Sequence, residues 1–241
     1  MGDAPNPLLL TDLAFYASPP HSCSYLPEEE ATTLFADPHA EMSMALYGQL
    51  IDLGFRRSGR YVYQPRCRRC TACLPARLPV TQLRPTRSQR RTWARNQDLT
   101  VSVRPAAFSE EHYALYRRYM ATRHPGGGMD VDQPDAYMEF LCSDWSDTRF
   151  VEFREGATLV AVAVTDYLRQ GLSAVYTFFS PEAGRRGLGT YAILWQADAA
   201  ARSGRRHLYL GYWIEGSQKM AYKGCFRPLE VYRQGVWHTV P

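Results

Sequence analysis

The stretch that decides the fold is TRFVEFREGATLVAVAVTDYLRQGLSAVYTFF, residues 148–179, followed by SPEAGRRGLGTYAILWQADAAAR, residues 180–202. Its first part is dense in β-branched and aromatic residues. It breaks at Gly156 and at Gln170-Gly171, which predicts three antiparallel strands over 148–154, 159–168 and 172–179. After Pro181 the run Gly184-Arg-Arg-Gly-Leu-Gly189 makes a glycine-rich turn, and a helix is expected from about Thr190 to Arg202. Downstream, residues 207–211 read as a strand and 217–222 as a short helix. The chain ends in a hairpin of 229–232 and 236–240, turning at Gln234-Gly235. Upstream, Leu99, Val101 and Val103 alternate as on a half-buried strand. Ser109 begins a helix carrying Tyr113, Tyr116, Tyr119 and Met120. His124-Pro-Gly-Gly-Gly128 breaks it, and a second short helix spans 137–141.

From Leu99 on, the order is strand, helices, three antiparallel strands, glycine-rich turn, helix, strand, helix, hairpin. That order resembles a GNAT-type acyltransferase domain. The expected fold class is α+β, with a GNAT-like transferase domain over 98–241 and a smaller cysteine-containing, arginine-rich domain over 1–97. In the latter, residues 1–36 read as irregular. A helix is expected from an Asp37 cap and Pro38 through Met42, Ala45, Leu46, Leu50 and Leu53 to Gly54. Two short strands flank Ser58-Gly59, a cysteine loop covers 65–75, and Ser88 caps a basic helix through Trp93 and Asn96.

Length and composition bound the rest. At about 150 residues per domain, 241 residues allow one large or two small domains. A hydrophobic fraction of 45% with 22% charged residues excludes a collagen-like, low-complexity or wholly disordered chain. No apolar run approaches ~18 residues, and Leu8-Leu9-Leu10 is too short for a signal sequence, so no membrane span and a cytoplasmic location are expected. The net charge of +4 conceals an asymmetry. Between Asp52 and Asp98 there is no acidic residue and there are twelve arginines; the remaining 16 basic and 24 acidic residues leave the rest at −8. Such a basic segment suits a polyanion, or else is a solvated surface. Only Lys219 and Lys223 are lysine, four residues apart. A site that needs a compact ammonium could resist replacement by arginine.

Three motifs carry chemistry. Cys67-Arg-Arg-Cys-Thr-Ala-Cys73 packs three thiols into seven residues. That spacing suits zinc or an iron–sulfur cluster, with Cys23 the first choice for a fourth ligand; free redox-sensitive thiols are the other reading. The surrounding arginines would lower the thiol pKa values. The run 184–189 could hold a phosphate on backbone N–H groups at Gly187 and Gly189, or serve geometry alone. An acetyl-CoA loop would place Arg or Gln where Gly184 stands. Finally, Tyr209-Leu-Gly-Tyr-Trp-Ile-Glu-Gly-Ser-Gln-Lys-Met-Ala-Tyr-Lys-Gly224 combines four aromatics with both lysines. It reads as a base-stacking, phosphate-binding stretch with Lys219 and Lys223 on one helix face, or as core aromatics with two surface lysines.

That last stretch is joined by Cys23-Ser-Tyr-Leu-Pro27, Gly54-Phe-Arg-Arg-Ser-Gly59, the cysteine motif, Ser88-Gln-Arg-Arg91 and Arg123-His-Pro-Gly-Gly-Gly-Met-Asp130. Together they resemble the aminoacyl-tRNA–protein transferases of the N-degron pathway, in the bacterial branch of aspartate/glutamate leucyltransferases. The resemblance runs from about Leu13 to Trp237. It implies transfer of leucine from leucyl-tRNA to the α-amino group of proteins beginning with Asp or Glu, marking them for proteolysis. It also implies a candidate cluster at the cysteines, although their spacing differs from that of the eukaryotic arginyltransferases.

On this resemblance Lys219, Lys223, Ser217 and Tyr222 are candidates for contact with the ester carbonyl or 3′-terminal phosphate. Tyr212 lies in the same motif, and Glu215 would orient the amine. Arg66, Arg77 and Arg84 are candidates for the acceptor's acidic side chain, and Arg87, Arg90 and Arg91 for tRNA phosphates. The chemistry requires no cofactor. Two other readings stand beside it: an acyl-CoA-dependent GNAT acyltransferase, and a non-enzymatic metal-binding module that binds RNA or senses redox state.

Overall fold

The computed structural model describes residues 10–123 and 133–240. The expected breaker 124–128 lies outside the described residues. The N-terminal half begins with β1 (Phe15–Ala17), β2 (His21–Ser22), β3 (Glu30–Ala31) and β4 (Thr33–Ala36). Helix α1 (Met44–Asp52) follows, then β5 (Arg56–Ser58), β6 (Tyr61–Pro65), β7 (Leu74–Pro79) and helix α2 (Arg87–Arg95). The C-terminal half runs β8 (Thr100–Pro105), α3 (Glu110–Arg123), α4 (Pro134–Leu141), β9 (Thr148–Glu155), β10 (Thr158–Tyr167) and β11 (Gly171–Phe179). It continues with α5 (Leu188–Arg202), β12 (His207–Trp213), a 3-10 turn (Ala221–Cys225), β13 (Leu229–Arg233) and β14 (Val236–Val240).

The fold is mixed α+β. The main sheet has eight strands in the order β14-β13-β7-β12-β11-β10-β9-β8. The three strands of the deciding stretch lie adjacent and antiparallel, as their short turns require. Of its strand pairs, only β11 and β12 run parallel, joined by the α5 crossover. Helices α3 and α4 bury Tyr116, Tyr137 and Leu141 against Phe150 and Phe178 of the sheet. On the other side, α5 packs Ile193, Leu194 and Ala197 against Leu78, Leu208 and Leu229. At about 1.5–3 kcal/mol per fully buried large apolar side chain, these clusters dominate the favourable side of folding.

The N-terminal half is more ordered than its composition suggests. Strands β1, β4, β6 and β5 form a four-stranded sheet, where irregular chain was expected before residue 37. The apolar residues of β4 are too few to show a period, and their partners on β6 lie some thirty positions away. Ser43, not Asp37, caps α1: its hydroxyl accepts from Leu46 N at 3.2 Å, while Asp37 caps a turn at His39. Gly54, at φ +87°, follows the helix end as expected. Thr86, not Ser88, caps α2, in a reciprocal capping box with Gln89.

Strand β7 was expected to be part loop and to belong to the N-terminal unit. Its sequence, Leu74-Pro-Ala-Arg-Leu-Pro79, carries two prolines and no strand signal. Yet it lies inside the main sheet, between β13 and β12. The sheet therefore crosses the boundary expected at residue 97, and α2 packs on α5 through Trp93 and Tyr191. Among the described residues no helix is long and apolar enough to cross a membrane.

Candidate active site

The parallel pairing of β11 with β12 lasts three residues, Gly171–Ser173 against His207–Tyr209. Beyond it the strands part. Strand β12 carries an irregularity between Tyr209 and Gly211 in its pairing with β7, and Gly211 sits at φ +79°. That conformation favours glycine. A Cβ there would only touch the Arg56 guanidinium, 3.5 Å from Nε, so Arg56 lies directly against this glycine and the backbone angle is what calls for it.

Arg56 comes from β5 of the N-terminal half and is 7% exposed. Its Nη2 donates to the carbonyl of Ala174 on β11 at 2.7 Å. Its Nη1 is buried and has no hydrogen-bond partner among the described residues. On the β12 side, Lys223 is 6% exposed, and its Nζ donates to the carbonyl of Tyr212 at 2.6 Å. Thus each strand, where the ladder ends, has a carbonyl answered by a side-chain cation. Among the described residues neither cation makes an ion pair with a carboxylate. Burial, then the charge of Arg56, pushes the Lys223 ammonium down to about 7. Near neutrality it is therefore a mixture of amine and ammonium.

Aromatic rings wall this pair. Arg56 is close enough to Tyr47, Tyr63, Tyr212 and Tyr222 for its charge to oppose the upward push that burial gives their hydroxyls. The Tyr212 hydroxyl donates toward the Gly54 and Tyr63 carbonyls, each at 3.1 Å, pinning the two halves together. Lys223 Nζ lies 5.8 Å from the centre of the Tyr222 ring. Tyr222 is 47% exposed, so it forms the outer wall.

Of the six residues expected to be catalytic, Tyr212, Tyr222 and Lys223 are brought together here. Glu215 and Lys219 are exposed. Ser217 is buried in a turn, where its carbonyl accepts from Met220 N and Ala221 N. The expected helix over 217–222 is instead this turn followed by the 3-10 segment, with Gly216 and Gly224 bracketing the run. The two lysines therefore differ in environment, one buried and one in water, and share no helix face.

The arginines also divide. Arg66 and Arg84 are exposed, as are Arg87, Arg90 and Arg91 of α2. Arg77 is engaged: Nε meets Glu230 Oε2 at 2.6 Å, Nη1 meets Asp52 Oδ1 at 3.4 Å, and its guanidinium lies 4.1 Å from the Trp237 ring centre. In the 184–189 run Arg186 pairs with Asp98 and Glu155, and Asn96 Nδ2 donates to the Arg186 carbonyl. Gly187 sits at φ +68° against Thr92, and Gly189 packs on Phe179, so both glycines answer to packing. Among twelve arginines the sequence does not single out Arg56, although it stands in the Gly54–Gly59 motif.

The cysteine loop lies beside the site. Cys73 is close enough to Tyr63 and Tyr212 to raise their hydroxyl pKa values further. Its own thiol is pushed up to about 12 by burial first and then by Cys23, Cys67 and Cys70. Cys23, the chosen fourth thiol, is thus within electrostatic reach of Cys73, as are Cys67 and Cys70. The expected lowering by arginines is overturned at Cys73, because burial and thiolate–thiolate repulsion both oppose ionisation. Among the described residues no three His, Cys, Asp or Glu side chains stand in a metal-ligating group. Four thiols remain a donor set that suits a thiophilic metal.

Two family profiles match the chain: "Arginine-tRNA-protein transferase, C terminus" over residues 111–233 and "Arginine-tRNA-protein transferase, N terminus" over residues 21–91. The chain is 56% identical over 224 residues to the aspartate/glutamate leucyltransferase of Nitrosococcus oceani, covering 92% of this chain and 94% of that one. It is 50% identical over 231 residues to that of Hahella chejuensis, covering 96% and 99%. The solved structure of L-PGS from Bacillus licheniformis superposes with a TM-score of 0.44 at 15% identity, over 70% of this chain and 49% of that one, too slight a likeness to support an argument. Profiles over both halves and identity of this extent show that the chain belongs to the arginine-tRNA-protein transferase family, among its aspartate/glutamate leucyltransferases.

Proposed function

We propose that the protein transfers leucine from leucyl-tRNA to the α-amino group of proteins that begin with Asp or Glu, creating an N-terminal signal for degradation. The observation that carries this reading is the 56% identity along 92% of the chain to an aspartate/glutamate leucyltransferase. The geometry supports it with a buried cation pair at the parting of β11 and β12, and with a separate exposed arginine face on α2. The order of elements from β8 onward and the parting of two parallel strands also favour a GNAT-type core. Gly184 in place of Arg or Gln speaks against acyl-CoA as donor.

In the proposed reaction the acceptor's amine nitrogen attacks the ester carbonyl carbon of leucyl-tRNA. The tetrahedral intermediate loses a proton from nitrogen, and the bond to the ribose oxygen breaks. That oxygen takes up a proton, leaving an amide and a free hydroxyl. An α-amine with a pKa of about 7.7–8.0 is roughly one-tenth free base near pH 7, so deprotonating it costs only about 1.4 kcal/mol. One donor to the developing oxyanion contributes about 2.7–4 kcal/mol. Positioning and charge stabilisation therefore dominate, and no covalent enzyme intermediate is needed.

Lys223 is assigned to the carbonyl oxygen as ammonium, or to the amine's proton as free amine; its pKa of about 7 serves either role. Tyr222 forms the outer wall for the ester. Arg87, Arg90 and Arg91, with Arg66, Arg84 and Lys219, are assigned to tRNA phosphates. If Cys23, Cys67, Cys70 and Cys73 take zinc or an iron–sulfur cluster, the loop must first draw them together, since they do not stand as a ligand group among the described residues.

The test is mass spectrometry of peptides beginning with Asp, Glu, Arg or Ala after incubation with leucyl-tRNA and protein. Leucine should appear on the first two only. Labelling of the Arg peptide, or of none, defeats the reading.

A further inference from the structure

Arg56 carries an unsatisfied donor in a place where such a donor is costly. A buried hydrogen-bonding group without a partner costs about 1–3 kcal/mol, and more when it is charged. Beside it Lys223 is a second buried cation, also without a carboxylate partner among the described residues. A buried guanidinium with one open N–H, beside a lysine that an arriving anion would hold in its ammonium form, makes a site for an anion. The exposed arginines do not meet that description, because water already satisfies them. An exposed ion pair contributes only about 0–1 kcal/mol, too little to separate Asp from Asn. A buried group built to pair with a substrate's polar group rejects the analogue lacking it by about 10⁴–10⁵.

We propose that Arg56, reaching from β5 into the parting of β11 and β12, receives the side-chain carboxylate of the acceptor's N-terminal Asp or Glu, with Lys223 beside it at the reacting end. This rests on the leucyl-transfer reading and adds the residue that selects the acceptor. The chemistry requires such closeness. Only one methylene in Asp, or two in Glu, separates the acceptor's carboxylate from the carbon that bears the attacking amine. Whatever holds the carboxylate must therefore lie within a few ångströms of the group that acts on the ester. Arg56 and Lys223 are near enough for the charge of one to act on the other. The guanidinium fork matches a planar carboxylate, and Nη1 is the arm left open. Tyr222, half exposed against Lys223, is the side from which an acceptor enters.

The test compares kcat/KM for peptides that differ only in an initial Asp or Asn, together with the Kd for leucyl-tRNA. The proteins are the unaltered chain, Arg56→Met and Arg56→Lys. The unaltered chain should prefer Asp by about 10³ or more. Arg56→Met should bring the two peptides within about tenfold of each other, through a raised acceptor KM and with leucyl-tRNA affinity unchanged. Arg56→Lys keeps charge and volume but loses the fork, and should fall between; it decides the matter if Arg56→Met does not fold. An unchanged Asp preference in a folded variant overturns the proposal. So does a loss confined to leucyl-tRNA affinity, which would assign the anion to a tRNA phosphate. Both results leave leucyl transfer standing. Absence of transfer by the unaltered chain to the Asp peptide instead removes the reaction reading, and the proposal with it.

Discussion

Arg56 and Arg57 are neighbours on β5, both buried, and they lead to two different regions. Arg57 meets Asp166 of β10 through Nε at 2.7 Å and Nη2 at 2.5 Å, with both side chains fully buried. It also donates to Thr148 Oγ1 at 2.8 Å and to the Gly59 carbonyl at 3.2 Å, and Thr148 in turn donates to Asp166. Each of its nitrogens has a partner. Arg56, one residue back, has one answered nitrogen, one open nitrogen and a lysine for company. Burial alone therefore does not separate structure from function here; completeness of pairing does. A charge with a full set of partners fastens β5 to the main sheet. A charge left incomplete beside a second cation is poised for something that is not part of the chain.

The largest expected effect tests the completed side. Arg57→Met leaves Asp166 buried without its counter-charge and should cost about 3–5 kcal/mol. Urea denaturation measures it, and a loss under 1 kcal/mol would show that the Arg57 network is not a fastening.

Next comes the incomplete side. Lys223→Met should reduce single-turnover leucine transfer by about 10²–10³ while the protein stays folded. The same variant gives a pH test. The folded pKa of Lys223, about 7, lies below the ordinary lysine value of about 10.4. Between those values the unfolded chain binds more protons, so this lysine's contribution to stability grows as pH rises from about 7 toward 10.4. The melting temperature of the unaltered chain should therefore rise relative to Lys223→Met across that window. A constant difference would mean that Lys223 is not buried as a near-neutral amine.

A smaller effect separates the exposed arginines from the buried one. Replacing Arg87, Arg90 and Arg91 together with Gln should lower the slope of log affinity for leucyl-tRNA against log salt by about 2–3. The acceptor KM should not move. A change in acceptor KM with an unchanged salt slope would reverse the roles assigned to the two groups.

The smallest concerns Arg77, whose partners are Glu230, Asp52 and the Trp237 ring. Arg77→Met should cost about 1 kcal/mol in stability and change the acceptor KM less than twofold. A tenfold rise in KM would return Arg77 to the acceptor site.

Much of the main sheet was legible because its signals are local. The strands of 148–179 are long, rich in β-branched residues and separated by turns that force antiparallel neighbours. The terminal hairpin was legible for the same reason: Gln234 and Gly235 adopt the positive φ of 50° and 83° that its tight turn needs. Strand β7 was not legible. Its prolines deny a strand, and its place is decided by β12 and β13, more than a hundred residues away. Caps shifted by two to six positions, because several Ser, Thr and Asp residues compete and packing selects among them.

The active site divides in the same way. The residue types of 209–224 were enough to draw attention to both lysines, and the chain's scarcity of lysine sharpened the point. Only folding distinguishes Lys223 from Lys219, because burial depends on what the N-terminal half brings over it. Arg56 was invisible as a site residue within a run of twelve arginines. A guanidinium's role follows from its partners, and the partners of Arg56 are a carbonyl on β11, a glycine on β12 and a lysine far along the chain. Amino-acid order thus determined which segments become strands and helices and which motifs are unusual, since both depend on neighbours within a few residues. Which cations are dry, paired or left open was decided by tertiary structure, because desolvation and ion pairing are set by distances that the chain creates only when it folds.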